Sequence, residues 1–163
     1  MEIIKEPKAL KSLSKVGAKA NLKSIFMLKS DFWRSMDAMD FERVGIEIKL
    51  SGKLFEERDD CILAKATFSF MGAPVDGGEA KEKKGVASIE AEYILIYSLA
   101  ERSKLTKEDL EAFCDINSVY NAWPYWREFV GNASDRMGLP IPMLPLLKFR
   151  GPHKREEQKD ETT

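Results

Sequence analysis

The stretch from Asn117 to Leu147, NSVYNAWPYWREFVGNASDRMGLPIPMLPLL, decides how the rest of the chain is interpreted. It contains two of the three tryptophans and four of the seven prolines of the chain. Its first part has apolar residues at helical spacing, which predicts a helix with one apolar stripe. The stripe consists of Trp123, Trp126, Val130, Ala133 and Met137. Gly138, followed by Pro140 and Pro142, predicts the end of this helix and the start of an extended, proline-rich strap.

Whether Pro124 distorts this helix depends on where the helix begins. Proline is tolerated in the first turn of a helix, where the backbone N–H groups have no partner within the helix. If the helix begins near Asn121, Pro124 fits without distortion, but if it begins at Asn117 or Ser118 we expect Pro124 to kink it. A separate short helix is predicted at 107–115, because Thr106 and Asp109 resemble a capping box.

Four stretches before these helices are predicted to be β-strands, and the second of them alternates cleanly between apolar and polar residues. They span about 22–33, 42–57, 62–70 and 86–99. The first is apolar on both faces. The second half of the fourth is too, so we expect burial on both sides there, with an oligomer contact as a reasonable cause. Four strands followed by helices predict an α+β fold, in which a four-stranded antiparallel sheet is covered on one face by the long C-terminal helix.

The segment after the first strand is unusually apolar for a loop. Phe32 and Trp33 end the strand, and Met36, Met39 and Phe41 follow within eight residues. Either this loop folds back over the core, or it exposes an adhesive surface, a role for which methionine is suited because it is flexible and polarisable. Both interpretations are open at this point.

The residues of common catalytic and metal sites are scarce. The one histidine, His153, lies in the charged C-terminal segment, which leaves no nucleophile–histidine pair and no histidine-based metal site on a predicted element. Cys61 and Cys114 lack metal-binding spacing and are expected to be free, buried thiols. We therefore expect no catalytic residues, no metal and no cofactor, and a binding function rather than an enzyme. No apolar run approaches the ~20 residues of a membrane span, and no secretory signal is recognisable, so we expect a cytoplasmic protein without membrane insertion.

Charge is unevenly distributed along a chain whose net charge is −1. Six lysines and two glutamates lie in residues 1–23. We divide the chain into a basic N-terminal arm (1–20), a domain (21–149) and a charged tail (150–163) whose composition predicts disorder. No nucleic-acid-binding motif accompanies the lysines, so we expect no nucleic-acid partner.

A family resemblance rests on the motif Trp123-Pro124-Tyr125-Trp126-Arg127-Glu128, followed nine residues later by Gly138-Leu139-Pro140. This order resembles the long helix and following segment of the SecB family, which are tetrameric, ATP-independent chaperones of bacterial protein export. The family pattern is a large apolar residue, Pro, Tyr, any residue, Arg and Glu, and later a proline-bearing turn with leucines. The order of four strands, an apolar crossover loop and helices extends the resemblance to about residues 20–149.

The resemblance implies an assembly and a site. In the family two protomers join their sheets, and two such dimers sandwich the long helices, which implies a homotetramer. Unfolded clients lie in apolar surface grooves, so the resemblance implies that the crossover-loop residues bind client polypeptide. These are Phe32, Trp33, Met36, Met39 and Phe41. The motif at 123–128 is implied to serve packing and assembly.

Two departures divide the implied function into branches. Export-type members continue with a second apolar helix and an acidic tail, features tied to the SecA motor, whereas residues 150–163 are polar and balanced in charge. The basic segment before the first strand is more similar to SecB-like chaperones that accompany toxin–antitoxin modules. The resemblance thus implies a holdase for unfolded preproteins, with SecA as a candidate partner, or for an antitoxin. The alternative is a small-molecule-binding or hydrolytic α+β domain with a ligand pocket between sheet and helix.

Overall fold

The structure, a computed structural model, describes residues 2–4, 7–36, 44–74, 85–140, 142 and 144–150. Met39, Phe41 and residues 151–163 lie outside the described residues. In chain order the elements are β1 (Glu2–Ile4), α1 (Pro7–Gly17), β2 (Ala20–Arg34), β3 (Val44–Glu57), β4 (Cys61–Pro74), β5 (Ala87–Leu99), α2 (Lys107–Arg136) and β6 (Lys148–Arg150).

The central feature is an antiparallel sheet of four strands in the order β2-β5-β4-β3, with α2 packed across one face. This confirms the predicted α+β fold. A separate, parallel pair formed by β1 and β6 was not predicted. Each of these strands has three residues, which is too short for an alternating pattern to be recognised.

The helix α2 is one continuous helix of 30 residues, so the prediction of a short helix followed by a separate long one was wrong. The buried face continues through the proposed break, where Ile116, Val119 and Ala122 have almost no exposed surface. Tertiary packing of this face therefore outweighs the cost of Pro124 inside the helix, about 3 kcal/mol. The capping box is confirmed, because the Thr106 hydroxyl accepts from the Asp109 N–H at 3.2 Å and the Asp109 carboxylate accepts from the Thr106 N–H at 3.2 Å.

The predicted stripe of α2 forms the core against the sheet. Trp126 is fully buried and stacks on Phe68 of β4, with the ring centroids 5.3 Å apart. The rest of the stripe is buried, with Met137 partly so. At Gly52 of β3 the helix approaches so closely that a Cβ atom would lie 2.5 Å from the carbonyl oxygen of Asp115. A glycine is thus what allows α2 to settle onto this strand.

Helix α1 packs beside the first turns of α2. The Ser12 hydroxyl donates to Asp109 Oδ1 at 2.9 Å, the Lys15 ammonium pairs with the same carboxylate, and Val16 is fully buried. Much of the segment that we predicted as an arm, residues 1–20, is therefore packed on the sheet–helix unit. The division of the chain into arm, domain and tail stays a prediction.

Several large apolar side chains on the sheet and on α2 are buried within one chain. Ile94 of β5 is buried on the face opposite α2, with Phe26 and Lys65 beside it in the neighbouring strands. Trp123 and Trp126 are also buried without any second subunit. Burial on both faces of β5 is thus confirmed at Ile94, where it arises within one chain, and an oligomer contact of this strand stays a prediction.

Both cysteines are free, as predicted. Cys114 is buried in α2, and burial raises the pKa of its thiol to about 12. Cys61 is partly exposed because it is the first residue of β4, so the expectation of a buried thiol was wrong there. Within the described part of the chain, no helix has the length and apolar character needed to cross a membrane.

Candidate functional site

Strand β2 exposes far more apolar surface than the other described elements. Seven of the thirteen exposed large apolar side chains in the described ranges lie between residues 22 and 36. They are Leu22, Phe26, Met27, Leu28, Phe32, Trp33 and Met36. The cause is topological, because α2 packs over β3, β4 and β5 while β2 lies at the edge of the sheet. Concentrated apolar surface of this kind marks interaction sites in soluble proteins.

The side of β2 that faces α2 forms one wall of a groove. Two irregularities in the pairing with β5, between Leu22 and Ser24 and between Met27 and Lys29, adjust which face each side chain occupies. Phe32 lies on the helix side, where its ring contacts Phe129 of α2 edge-on at 6.3 Å. The edge strand and the outer flank of α2 therefore meet along this line.

The groove between β2 and α2 has a volume of about 290 Å³ and is open to solvent. Its lining residues come from β2, β5 and α2: Ile25, Phe26, Met27, Tyr93, Tyr125, Glu128, Phe129 and Asn132. Most of this lining is apolar or aromatic. Its polar side chains include Glu128, whose carboxylate accepts from Asn132 Nδ2 at 3.4 Å, and Tyr93. Burial, together with the nearby negative charge of Glu128, raises the pKa of Tyr93 to about 12.

The structure divides the predicted client-binding residues between two faces. Phe32 lies at the groove side, whereas its neighbour Trp33, 45% exposed, lies on the opposite face of the sheet. There it is opposite Ser88, which in turn is opposite Met71 of β4, another exposed side chain. Met36 is 80% exposed, and Phe32 is exposed as well. Phe32, Trp33 and Met36 are therefore surface groups rather than cover for the core. Met39 and Phe41 fall outside the described residues.

The helix motif at 123–128 has several roles within the chain. Trp123 Nε1 donates to the Pro145 carbonyl at 3.0 Å, and Arg127 Nε donates to the Leu144 carbonyl at 3.0 Å. These two bonds hold the strap against α2. Pro124 and Glu128 are exposed, and the contribution of the motif to subunit assembly stays a prediction.

Sequence reasoning missed most of the groove. Tyr125 was grouped with packing residues, but it is 49% exposed and lines the groove. A usable signal was present, because Tyr125, Glu128, Phe129 and Asn132 are spaced as one stripe of a helix. No comparable signal connects that stripe to Ile25 or Met27, which lie about 100 positions earlier in the chain.

The comparisons with known proteins agree with this architecture. The antiparallel sheet covered by one long helix is the fold of the SecB-like chaperones. The particular structure that shows this is the SecB-like chaperone Rv1957 of Mycobacterium tuberculosis, solved in complex with a ChAD peptide from the HigA1 antitoxin Rv1956. Its structure aligns with that of this chain with a TM-score of 0.66 and 16% sequence identity. The alignment covers 88% of this chain and 100% of that chain.

More distant comparisons add little. A protein of unknown function from Streptococcus agalactiae matches with a TM-score of 0.38 and 9% identity, over 78% of this chain and 98% of that chain. No family model and no curated protein sequence matches the chain. In the part of the chain that the structure describes, no group of three or more His, Cys, Asp or Glu side chains is placed to hold a metal ion.

Proposed function

We propose that this protein is an ATP-independent holdase that binds unfolded polypeptide on the apolar surface around β2. The observation that carries this proposal is the concentration of exposed aromatic, aliphatic and methionine side chains on one edge strand beside an open groove. Unfolded clients differ in sequence but share exposed apolar side chains. A surface that makes many weak apolar contacts therefore suits them better than a pocket of fixed shape.

An antitoxin is the client that we favour. The fold likeness is to a SecB-like chaperone whose structure contains an antitoxin peptide, and six lysines precede or begin the first long strand here. The second branch is protein export, with unfolded preproteins as clients and the SecA motor as a partner. In either branch the holdase acts in the cytoplasm, as a homotetramer built from two dimers.

A small-molecule-binding or hydrolytic function is less well supported. A ligand pocket between sheet and helix requires open space with a few converging polar groups. That space contains packed rings, since Phe68 lies 6.0 Å from Trp123 and 5.9 Å from Tyr93 between ring centroids. The groove between β2 and α2 is open at the edge of that space, and its lining is mainly apolar.

Suppression of aggregation tests the proposal. The purified protein, without nucleotide, is mixed with a thermally unfolded test protein and with the candidate antitoxin encoded nearest to its own gene. We expect light scattering to fall in at least the antitoxin mixture, and the double variant Phe32→Ser/Trp33→Ser to lose this protection. Phe55→Ser is the control, because Phe55 is also an exposed aromatic but lies on β3, at the other edge of the sheet. A wild-type protein that protects neither substrate would contradict the proposal.

A further inference from the structure

The hydroxyl of Tyr93 has no hydrogen-bond partner among the described residues. The residue is only 3% exposed, yet its side chain lines the groove between β2 and α2. A buried hydroxyl without a partner is costly, and such a group in a native structure calls for an explanation. Since the proposed client surface includes this groove, the missing partner can be a group that arrives with the client.

A second tyrosine on the same strand has a hydroxyl whose hydrogen bonds are satisfied within the chain. Tyr97, four residues along β5 on the same face, accepts from Asn121 Nδ2 at 3.0 Å and donates to the Asn117 carbonyl at 3.4 Å. Both of those partners belong to α2. Next to Tyr93, α2 contributes Tyr125, Glu128, Phe129 and Asn132 to the groove, and none of these side chains hydrogen-bonds to the Tyr93 hydroxyl.

We propose that the Tyr93 hydroxyl donates a hydrogen bond to a main-chain carbonyl of the bound client and so anchors the polypeptide in the groove. This inference rests on the proposed holdase function. A main-chain carbonyl is the acceptor that every client shares, whatever its side chains. A client carboxylate is disfavoured as the partner, because Glu128 places a negative charge beside the hydroxyl. With its pKa raised to about 12, Tyr93 keeps its proton at neutral pH and remains a donor.

The size of the groove limits what this anchor holds. A volume of about 290 Å³ lies at the lower end of the roughly 300–1,000 Å³ typical of pockets for small molecules, so it accommodates a short part of a client. The hydroxyl oxygen itself has almost no exposed surface, so a groove side chain must shift before a carbonyl reaches it. Met27 is suited to this movement because it is partly exposed and has three rotatable side-chain bonds.

The test is Tyr93→Phe, with Tyr97→Phe as the matched control. The probe is a fluorescently labelled 12-residue peptide rich in Leu and Phe, and its Kd is measured by fluorescence anisotropy. Tyr93→Phe removes an unpaired oxygen, so we expect an unchanged or higher Tm and a Kd that rises on the order of 3- to 10-fold. Tyr97→Phe removes two intramolecular hydrogen bonds, so we expect a lower Tm and an unchanged Kd.

A second peptide tests whether the acceptor is the main chain. Replacing successive amides of the peptide by esters weakens its carbonyl acceptors without changing its side chains. We expect this replacement to weaken binding to the wild-type protein more than binding to Tyr93→Phe. Equal Kd values for wild type and Tyr93→Phe, or equal losses on ester replacement, would overturn the anchor and leave the holdase proposal standing. A wild-type protein that binds neither this peptide nor an unfolded protein would overturn both.

Discussion

At the scale of single residues, the close contact at Gly52 leads to a specific prediction about stability. Gly52→Ala places a methyl group 2.5 Å and 2.7 Å from the backbone carbonyl oxygens of Asp115 and Cys114, which cannot move without shifting α2. We expect the free energy of unfolding, measured by urea denaturation, to fall by about 1–3 kcal/mol. The control is Gly17→Ala, whose added methyl meets only Phe113 at 4.0 Å and should change stability little. Equal stability of Gly52→Ala and wild type would contradict the close approach of helix and strand.

Trp33 and Trp126 test the difference between a surface and a core aromatic. Trp33 is 45% exposed, so Trp33→Ser should change the free energy of unfolding by no more than about 0.5 kcal/mol. Trp126 is fully buried against Phe68, so Trp126→Ala should cost about 3–5 kcal/mol. Denaturant melts of the two variants separate these expectations. A large loss for Trp33→Ser would mean that Trp33 covers apolar structure instead of presenting a surface.

At the scale of elements, the stability that the contact between α1 and α2 contributes should decrease at acid pH. The Lys15 ammonium, with hydrogen bonds from Ser12 and the Thr106 N–H, lowers the pKa of Asp109 from an ordinary 3.8 to about 2. A carboxyl whose pKa is lower in the folded state stabilises the fold above its ordinary pKa. This contribution should therefore be complete above about pH 4 and be lost as the pH falls towards 2.

Unfolding by urea between pH 5 and pH 2 measures this contribution. Asp109→Asn should be less stable than wild type at pH 5, and the difference should shrink as the pH falls. Asp135→Asn is a suitable control, because Asp135 is an exposed aspartate near the other end of α2. A pH profile of Asp109→Asn that runs parallel to that of wild type would contradict the assignment.

The strap is the second element with a specific attachment. Arg127→Met removes the donor to the carbonyl of Leu144, a buried residue, while the bond from Trp123 to Pro145 remains. We expect the free energy of unfolding to fall by about 1–3 kcal/mol, because a partly buried carbonyl loses its partner. Faster proteolysis after residue 138 should accompany this loss. Arg136→Ala, at an exposed arginine on the same helix, should leave both measurements nearly unchanged.

At the scale of the whole molecule, we expect a dimer or a tetramer. Strand β2 exposes Leu22 and Leu28 in addition to the groove residues, and no described strand of the sheet pairs with its outer edge. Exposed apolar edge strands favour pairing with another chain. Native mass spectrometry at micromolar concentration decides this. A monomer would contradict the assembly while leaving the fold and the groove in place.

The sequence by itself determined the local elements and the faces that they bury. The spacing of Trp123, Trp126 and Val130 predicted the buried side of α2, and Thr106 with Asp109 predicted its start. The order of four strands followed by helices predicted an antiparallel sheet covered by a helix. These features follow from interactions between residues that are close in the chain, so a periodic pattern reveals them.

Only the tertiary structure decided which surface is left uncovered. The strand order β2-β5-β4-β3 places β5 in the interior and β2 at an edge beyond α2, and no local pattern specifies that order. The same packing extends α2 through Pro124. It also joins Ile25, Tyr93 and Phe129 in one groove. These contacts connect residues tens of positions apart, and they form because burying the apolar faces together outweighs the local preferences of each segment.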